Sequence, residues 1–213
     1  MKRSAPLSRS QYGIYAECVG HENEPCYNLP YLYVLDGSID ADRLCSAIEV
    51  TVLAHPSFFT RIELDDDGEP IQTIDIENEH FCLAVGQLTD LEAEKRNFVE
   101  PFKLYGGRLF RTKVMRDGQH VYWFFDIHHI IGDGTSLDIV LHDVETVYNG
   151  GTLAPEGLTM MEVATAETEN ARHRLLKKVD NGMHVTLNAA TRSPSLFLTL
   201  KARNTRNPAW SAS

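Results

Sequence analysis

Between residues 8 and 19 the apolar positions Tyr12, Ile14, Tyr15, Cys18 and Val19 recur at helical spacing, and Ser8 stands where a cap belongs. Asn28-Leu29-Pro30 breaks that pattern, and the β-rich run 31–35 predicts a strand closed by Asp36-Gly37. Asp40 heads a second helix through about Ala54, which His55-Pro56 ends. Residues 58–64 and 70–76 read as strands joined by the acidic turn Asp65-Asp66-Asp67-Gly68-Glu69. That turn resembles a calcium loop only in charge, because it lacks alternating ligands and a downstream Glu, so it reads as a hairpin tip. A short strand is expected over 81–85, and a helix from Thr89 to about Val99, stopped by Pro101.

The second half carries the stronger pattern. Residues 108–115 and 120–127 flank Arg116-Asp117-Gly118-Gln119, a hairpin with Asp-Gly at its turn. Its second arm, Val121-Tyr122-Trp123-Phe124-Phe125-Asp126-Ile127, is almost continuously apolar, as a central strand covered on both faces would be. His128-His129-Ile130-Ile131-Gly132-Asp133-Gly134 follows, then a helix from Thr135 or Ser136 that Asn149-Gly150-Gly151 ends. A last helix is expected from Thr159 to about Leu176. Hairpins mixed with helices predict an α+β sandwich with a largely antiparallel or mixed sheet.

Composition divides the chain. The 213 residues carry a formal net charge of −10, which disfavours nucleic-acid binding through a basic face. Residues 1–170 hold 12 basic and 29 acidic residues, whereas residues 171–213 hold eight basic residues and one acid, Asp180. The sequence therefore reads as an acidic folded region, 1–170, followed by a basic tail, 171–213, expected to be truncated or poorly ordered. Lys2-Arg3 is followed by no apolar core, and no apolar run approaches the ~20 residues of a membrane span, so a cytoplasmic, membrane-free protein is expected. Cys18, Cys26, Cys45 and Cys82 lack paired metal-ligand spacing and read as buried free thiols.

The chemistry concentrates after the central strand. A strand and a helix hold the two histidines from both ends, and Gly132 and Gly134 permit a tight turn, with positive φ one option. Asp133 between them cannot be buried unpaired without a large cost, so it should find a cation; Arg61 and Arg9 are the candidates. Three roles stand open on the residues alone: His129 as general base, a metal site with Asp133 or His142, or structural histidines. Neighbouring strand residues point to opposite faces, which disfavours convergence of His128 and His129 on one ion.

His128 through Gly134 matches HHxxxDG, the signature that resembles the condensation domains of nonribosomal peptide synthetases, within the chloramphenicol-acetyltransferase-like superfamily. Leu7-Ser8-Arg9-Ser10-Gln11-Tyr12-Gly13-Ile14-Tyr15 resembles the family's N-terminal motif. Ala54-His55-Pro56-Ser57-Phe58-Phe59-Thr60-Arg61-Ile62 resembles its second motif, with Phe59 where the family usually carries Arg or a variant of it. The resemblance implies a two-layer α+β sandwich in which this chain supplies the N-terminal one of two lobes. It further implies amide formation between acyl or peptidyl and aminoacyl thioesters carried on phosphopantetheine arms, with no bound cofactor and no metal. His129 would orient or deprotonate the amine, His128 would support it, and Gly134 would lie beside the tunnel. Asp133 would hold the loop through an Arg, with Arg61 the expected partner and Arg9 a further support. The implied partners are peptidyl carrier proteins, other synthetase domains and a separate second lobe; a lone lobe is expected to be inactive. Two alternatives remain: a non-catalytic fragment that docks carrier proteins, and a free-standing acyltransferase using coenzyme A thioesters.

Overall fold

A computed structural model describes residues 2–21 and 23–168. The predicted basic tail and the end of the last predicted helix lie outside them. The chain opens with strand β1 (Arg3–Pro6), helix α1 (Arg9–Cys18), strand β2 (Asn28–Asp36) and helix α2 (Ala41–Ala54). The hairpin strands β3 (Arg61–Leu64) and β4 (Pro70–Ile74) follow, then strand β5 (Val85–Gln87) and helix α3 (Leu91–Phe98). Strands β6 (Phe110–Arg116) and β7 (His120–His128) lead into helix α4 (Gly134–Tyr148), and α5 (Met160–Thr168) closes the described region.

The strands form two sheets, ordered β1-β4-β3 and β2-β7-β6-β5. All pairings are antiparallel except β5 with β6, so the architecture is the expected α+β with a mixed sheet. β7 lies between β2 and β6, and every residue from Val121 to His128 is buried. Its alternate faces feed two cores. Val121, Trp123, Phe125 and Ile127 join the large cluster that includes Leu44, Ile48 and Val52 of α2 and Leu137, Val140 and Val144 of α4. Tyr122 and Phe124 join a smaller one with Leu88, Phe98 and Met115. The buried indole of Trp123 donates to Thr112 Oγ1 at 2.9 Å, so its polar atom is satisfied inside the core.

The acidic turn is a hairpin tip. Asp65 Oδ1 accepts from the backbone N–H of Asp67 (3.0 Å) and Glu69 (2.8 Å), and Gly68 takes φ +83°. Three details depart from the sequence expectation. β1 appears where none was expected, β2 starts at Asn28 and passes through Pro30, and the strand expected over 81–85 lies at Val85–Gln87. β2 is an edge strand, where a missing N–H costs no ladder bond. All four cysteines are free thiols, but only Cys18 and Cys45 are buried; Cys26 and Cys82 lie in exposed connections. Among the described residues no helix is long and apolar enough to cross a membrane.

His55, in the turn after α2, ties that helix to α4. Its Nε2 lies 2.8 Å from Asp143 Oδ2, and its Nδ1 4.0 Å from Glu156 Oε1. Glu156 and then Asp143 raise its pKa against the opposing effect of burial. A raised folded value means the contribution is fully present below the unfolded value and disappears as pH rises through the folded one. His55→Asn should therefore lower stability by about 1.5–3 kcal/mol near pH 5.5, as expected for hydrogen bonds to charged groups, and by less near pH 8.5. Urea midpoints at the two pH values measure this; an equal loss at both would contradict it.

Candidate functional site

The loop between β7 and α4 carries the two histidines on rigid ends. The last residue of β7, His128, is 5% exposed, and its backbone N–H donates to Leu109 O at 2.8 Å. Its Nδ1 accepts from the N–H of Ile130 (3.2 Å), so the ring proton sits on Nε2, which faces Cys18 Sγ at 3.6 Å. Burial, and then the neighbouring His129, push its pKa down to about 4, while burial pushes the Cys18 thiol up to about 11. His128 is thus a neutral, fully engaged support.

His129 is placed differently. Its backbone N–H donates to Tyr27 O (2.8 Å), and its Nδ1 lies 3.1 Å from Gly132 O. A carbonyl can only accept, so Nδ1 carries the proton of the neutral ring and Nε2 keeps its lone pair. The loop thereby presents a base with one defined atom available. The Tyr27 ring lies beside both imidazoles, at 6.1 and 6.4 Å, and its hydroxyl donates to the Glu17 carboxylate.

The glycines divide the work in an unexpected way. Neither has positive φ. A Cβ on Gly132 would lie 3.0 Å from Ile127 Cδ1 and 3.3 Å from Ser136 Cβ, so this is the close-approach position. A Cβ on Gly134 would meet nothing within 4 Å, and the backbone at the head of α4 faces open space.

Asp133 corrects the expectation most sharply. It is exposed and forms the N-cap of α4: Oδ1 accepts from the Ser136 N–H and hydroxyl, both at 2.9 Å, while Ser136 Oγ accepts from the Asp133 N–H at 3.2 Å. The Ser136 N–H, chiefly, holds its carboxyl below the usual range. An exposed, capped carboxylate needs no cation. Arg61 instead binds Glu79, which also holds Arg108 at 2.7 Å. Arg9 opens α1, where its backbone N–H donates to Glu167 Oε2 at 2.9 Å. Among the described residues no ion pair joins either arginine to Asp133. Phe59 is fully buried, edge-on to Phe110, so this position belongs to the core.

The first helix reaches the loop through a residue whose role the local pattern hid. Gln11 is 2% exposed; its Nε2 donates to Ile130 O (3.2 Å), and its carboxamide pairs with that of Gln72. Ser8 caps α1 and its N–H donates to Gln11 Oε1 at 2.9 Å. The Ser and Gln of the N-terminal stretch are thus parts of one clamp on the histidine loop.

The family model described as condensation domain matches residues 1–178. Surfactin synthase subunit 1 of Bacillus subtilis (strain 168) is 31% identical over 178 residues, covering 81% of this chain and 5% of the synthase. Bacitracin synthase 1 of Bacillus licheniformis is 33% identical over 156 residues, covering 71% of this chain and 3% of that protein. Among solved structures, the first condensation domain of the CDA synthetase superposes with a TM-score of 0.65 at 19% identity, over 80% of this chain and 47% of that one. The starter condensation domain of rhizomide synthetase gives 0.66 at 20% identity, over 78% and 45%. The chain thus spans about half the length of the solved domains it matches.

Proposed function

The chain belongs to the condensation-domain family, and from that premise we propose that it is the N-terminal lobe of a condensation domain of nonribosomal peptide synthesis. Residues 1–170 form the lobe in this reading, and residues 171–213 are a tail outside it. The reaction joins two thioesters carried on phosphopantetheine arms of peptidyl carrier proteins. The amine of the aminoacyl thioester attacks the carbonyl of the acyl or peptidyl thioester; a C–N bond forms and the C–S bond breaks. His129 Nε2 takes the proton from the attacking amine and returns one to the departing thiolate, so an amide and a free thiol result. His128 supports the ring beside it, Asp133 fixes the start of α4, and Gly134 leaves room for the substrate arm. No resident cofactor or metal enters the reaction, which a soluble cytoplasmic setting suits.

The observation that carries this reading is the tautomer imposed on His129 by the Gly132 carbonyl, which leaves Nε2 free at the end of the central strand. A tunnel between two lobes needs a second wall, so the lobe works with a second lobe and is inactive without it. The test incubates the chain with a loaded donor and a loaded acceptor carrier protein, with and without a second lobe supplied as its own polypeptide. Intact-mass measurement of the acceptor carrier should show condensed product only when the second lobe is present. Carrier capture without product, equal for wild type and His129→Ala, would favour a docking role; product from an acyl-coenzyme A without carriers would favour a free-standing acyltransferase. Either would overturn the proposal.

A further inference from the structure

Two residues before His128, and on the same face of β7, Asp126 is completely buried in the middle of the sheet. A carboxylate there is costly, and its surroundings show what it holds. Oδ2 accepts from Asn28 Nδ2 at 2.8 Å and lies 3.5 Å from Arg111 Nε, whereas Oδ1 has no partner within hydrogen-bond distance among the described residues. Asn28 stands directly across the β2–β7 ladder from His128, and it follows Tyr27, whose carbonyl receives the His129 N–H. Its amide also donates to Glu100 O at 2.9 Å. Arg111 stands across from Asp126 on β6 and donates to Glu100 O (2.6 Å) and Phe98 O (3.3 Å). Its guanidinium lies 3.9 Å over the Phe102 ring, and Phe102 meets His128 edge-on at 6.1 Å. Two routes therefore run from one carboxylate to the histidine loop: through Asn28 and Tyr27 to the His129 backbone, and through Arg111 and Phe102 to the His128 ring.

We propose that Asp126 is a positioning residue for the histidine loop, whose charge state sets how firmly Asn28 and Arg111 hold the supports of His128 and His129. The proposal rests on the reading of His129 as the working base. The charged group facing this carboxylate is Arg111 from β6; Asn28 faces it from β2 as a neutral donor, Glu100 offers its backbone carbonyl to both Asn28 and Arg111 while its carboxylate acts on Arg111, and His128 stands two residues along the same face of β7. Burial pushes Asp126 up to about 7, with Arg111 and then Asn28 pulling only partly the other way. Above that pH the carboxylate is charged and binds Arg111; below it the ion pair is lost and the Arg111–Phe102 wall loosens. The device thus responds near neutral pH.

The test is a pH titration of the histidine rings by nuclear magnetic resonance, in the whole chain. His128's own titration is pushed down to about 4, so an inflection in its ring signals near 7 reports a neighbour. That inflection should persist in His129→Gln and vanish in Asp126→Asn. Its absence in the wild type, or its survival in Asp126→Asn, overturns the proposal. If Asp126→Asn does not fold, Arg111→Gln decides: the inflection should move to higher pH, and an unmoved one overturns the proposal. In the two-lobe reaction, Asp126→Asn should remove only the part of the pH dependence that follows Asp126, giving above that pH the lower rate of the protonated form. Failure of all turnover would sink the acyl-transfer reading, while the ring titration would still decide the role of Asp126.

Discussion

Replacing His129 with alanine should cut amide formation by roughly 100- to 10,000-fold, the usual contribution of a positioned general base. The fold should survive the change. His129 is only partly buried, and its ring makes one hydrogen bond, to a loop carbonyl. Gly132 O is then free to take water, so the cost in stability should stay within about 1 kcal/mol. The informative comparison is with His128→Ala. That change empties a buried site lined by Cys18, Tyr27 and Phe102, so activity and thermal stability should fall together. Single-turnover rates in the two-lobe reaction, set beside melting curves, separate a chemical role from a supporting one. Equal rates for wild type and His129→Ala would remove the base from the mechanism.

The largest effect on the fold should come from a residue that never touches substrate. Gln11→Ala deletes a carboxamide that satisfies the Ser8 N–H, the Ile130 carbonyl and the Gln72 side-chain carbonyl, and that shares the Gln72 amide nitrogen with Pro6 O. Each buried group left without a partner costs about 1–3 kcal/mol, and incomplete additivity puts the total at roughly 3–5 kcal/mol. That is a large share of the 5–15 kcal/mol by which a domain is typically stable. The effect should also be local. Hydrogen exchange at Ile130 and Ile131 should quicken well before exchange in the centre of β7, because the clamp holds the loop rather than the strand. Urea unfolding gives the total; a loss below ~1 kcal/mol would mean that the clamp is incidental.

Much of this was readable along the chain wherever one element imposed its own period. β7 announces itself through seven nearly unbroken apolar positions, and α2 through its cap at Asp40, which accepts from the Arg43 N–H as a cap should. The histidine loop was legible as the join between a buried strand and a helix. What escaped was whatever depends on a partner far away. β1 is four polar or small residues ending in proline, and only its pairing with β4, some 70 positions later, makes it a strand. Gln11 reaches Ile130 across 119 positions, so its side chain carried no local sign of its task. Asp133 shows the opposite error. The sequence holds a local answer, a cap three residues before Ser136, whereas reading the aspartate as buried favours a distant arginine. A helix start at Gly134 rather than Thr135 or Ser136 places the carboxylate at the cap and removes the need for a cation.

Asp126 lies between these cases. It was visible as the one acid in an apolar strand, but its pairing across two neighbouring strands was not. Tyr27 and Phe102 gave no signal, since an aromatic residue in a connection reads as ordinary until the ring beside it is known to be a histidine.

The central claim is that the loop delivers a neutral imidazole with Nδ1 occupied and Nε2 free. Long-range 15N–1H correlation spectra of the neutral histidine rings test it directly. His129 should show a protonated Nδ1 and an unprotonated Nε2, and Gly132 should report a hydrogen-bonded carbonyl. A His129 ring protonated at Nε2 in its neutral form would contradict the account, because the atom assigned to take the proton would already carry one.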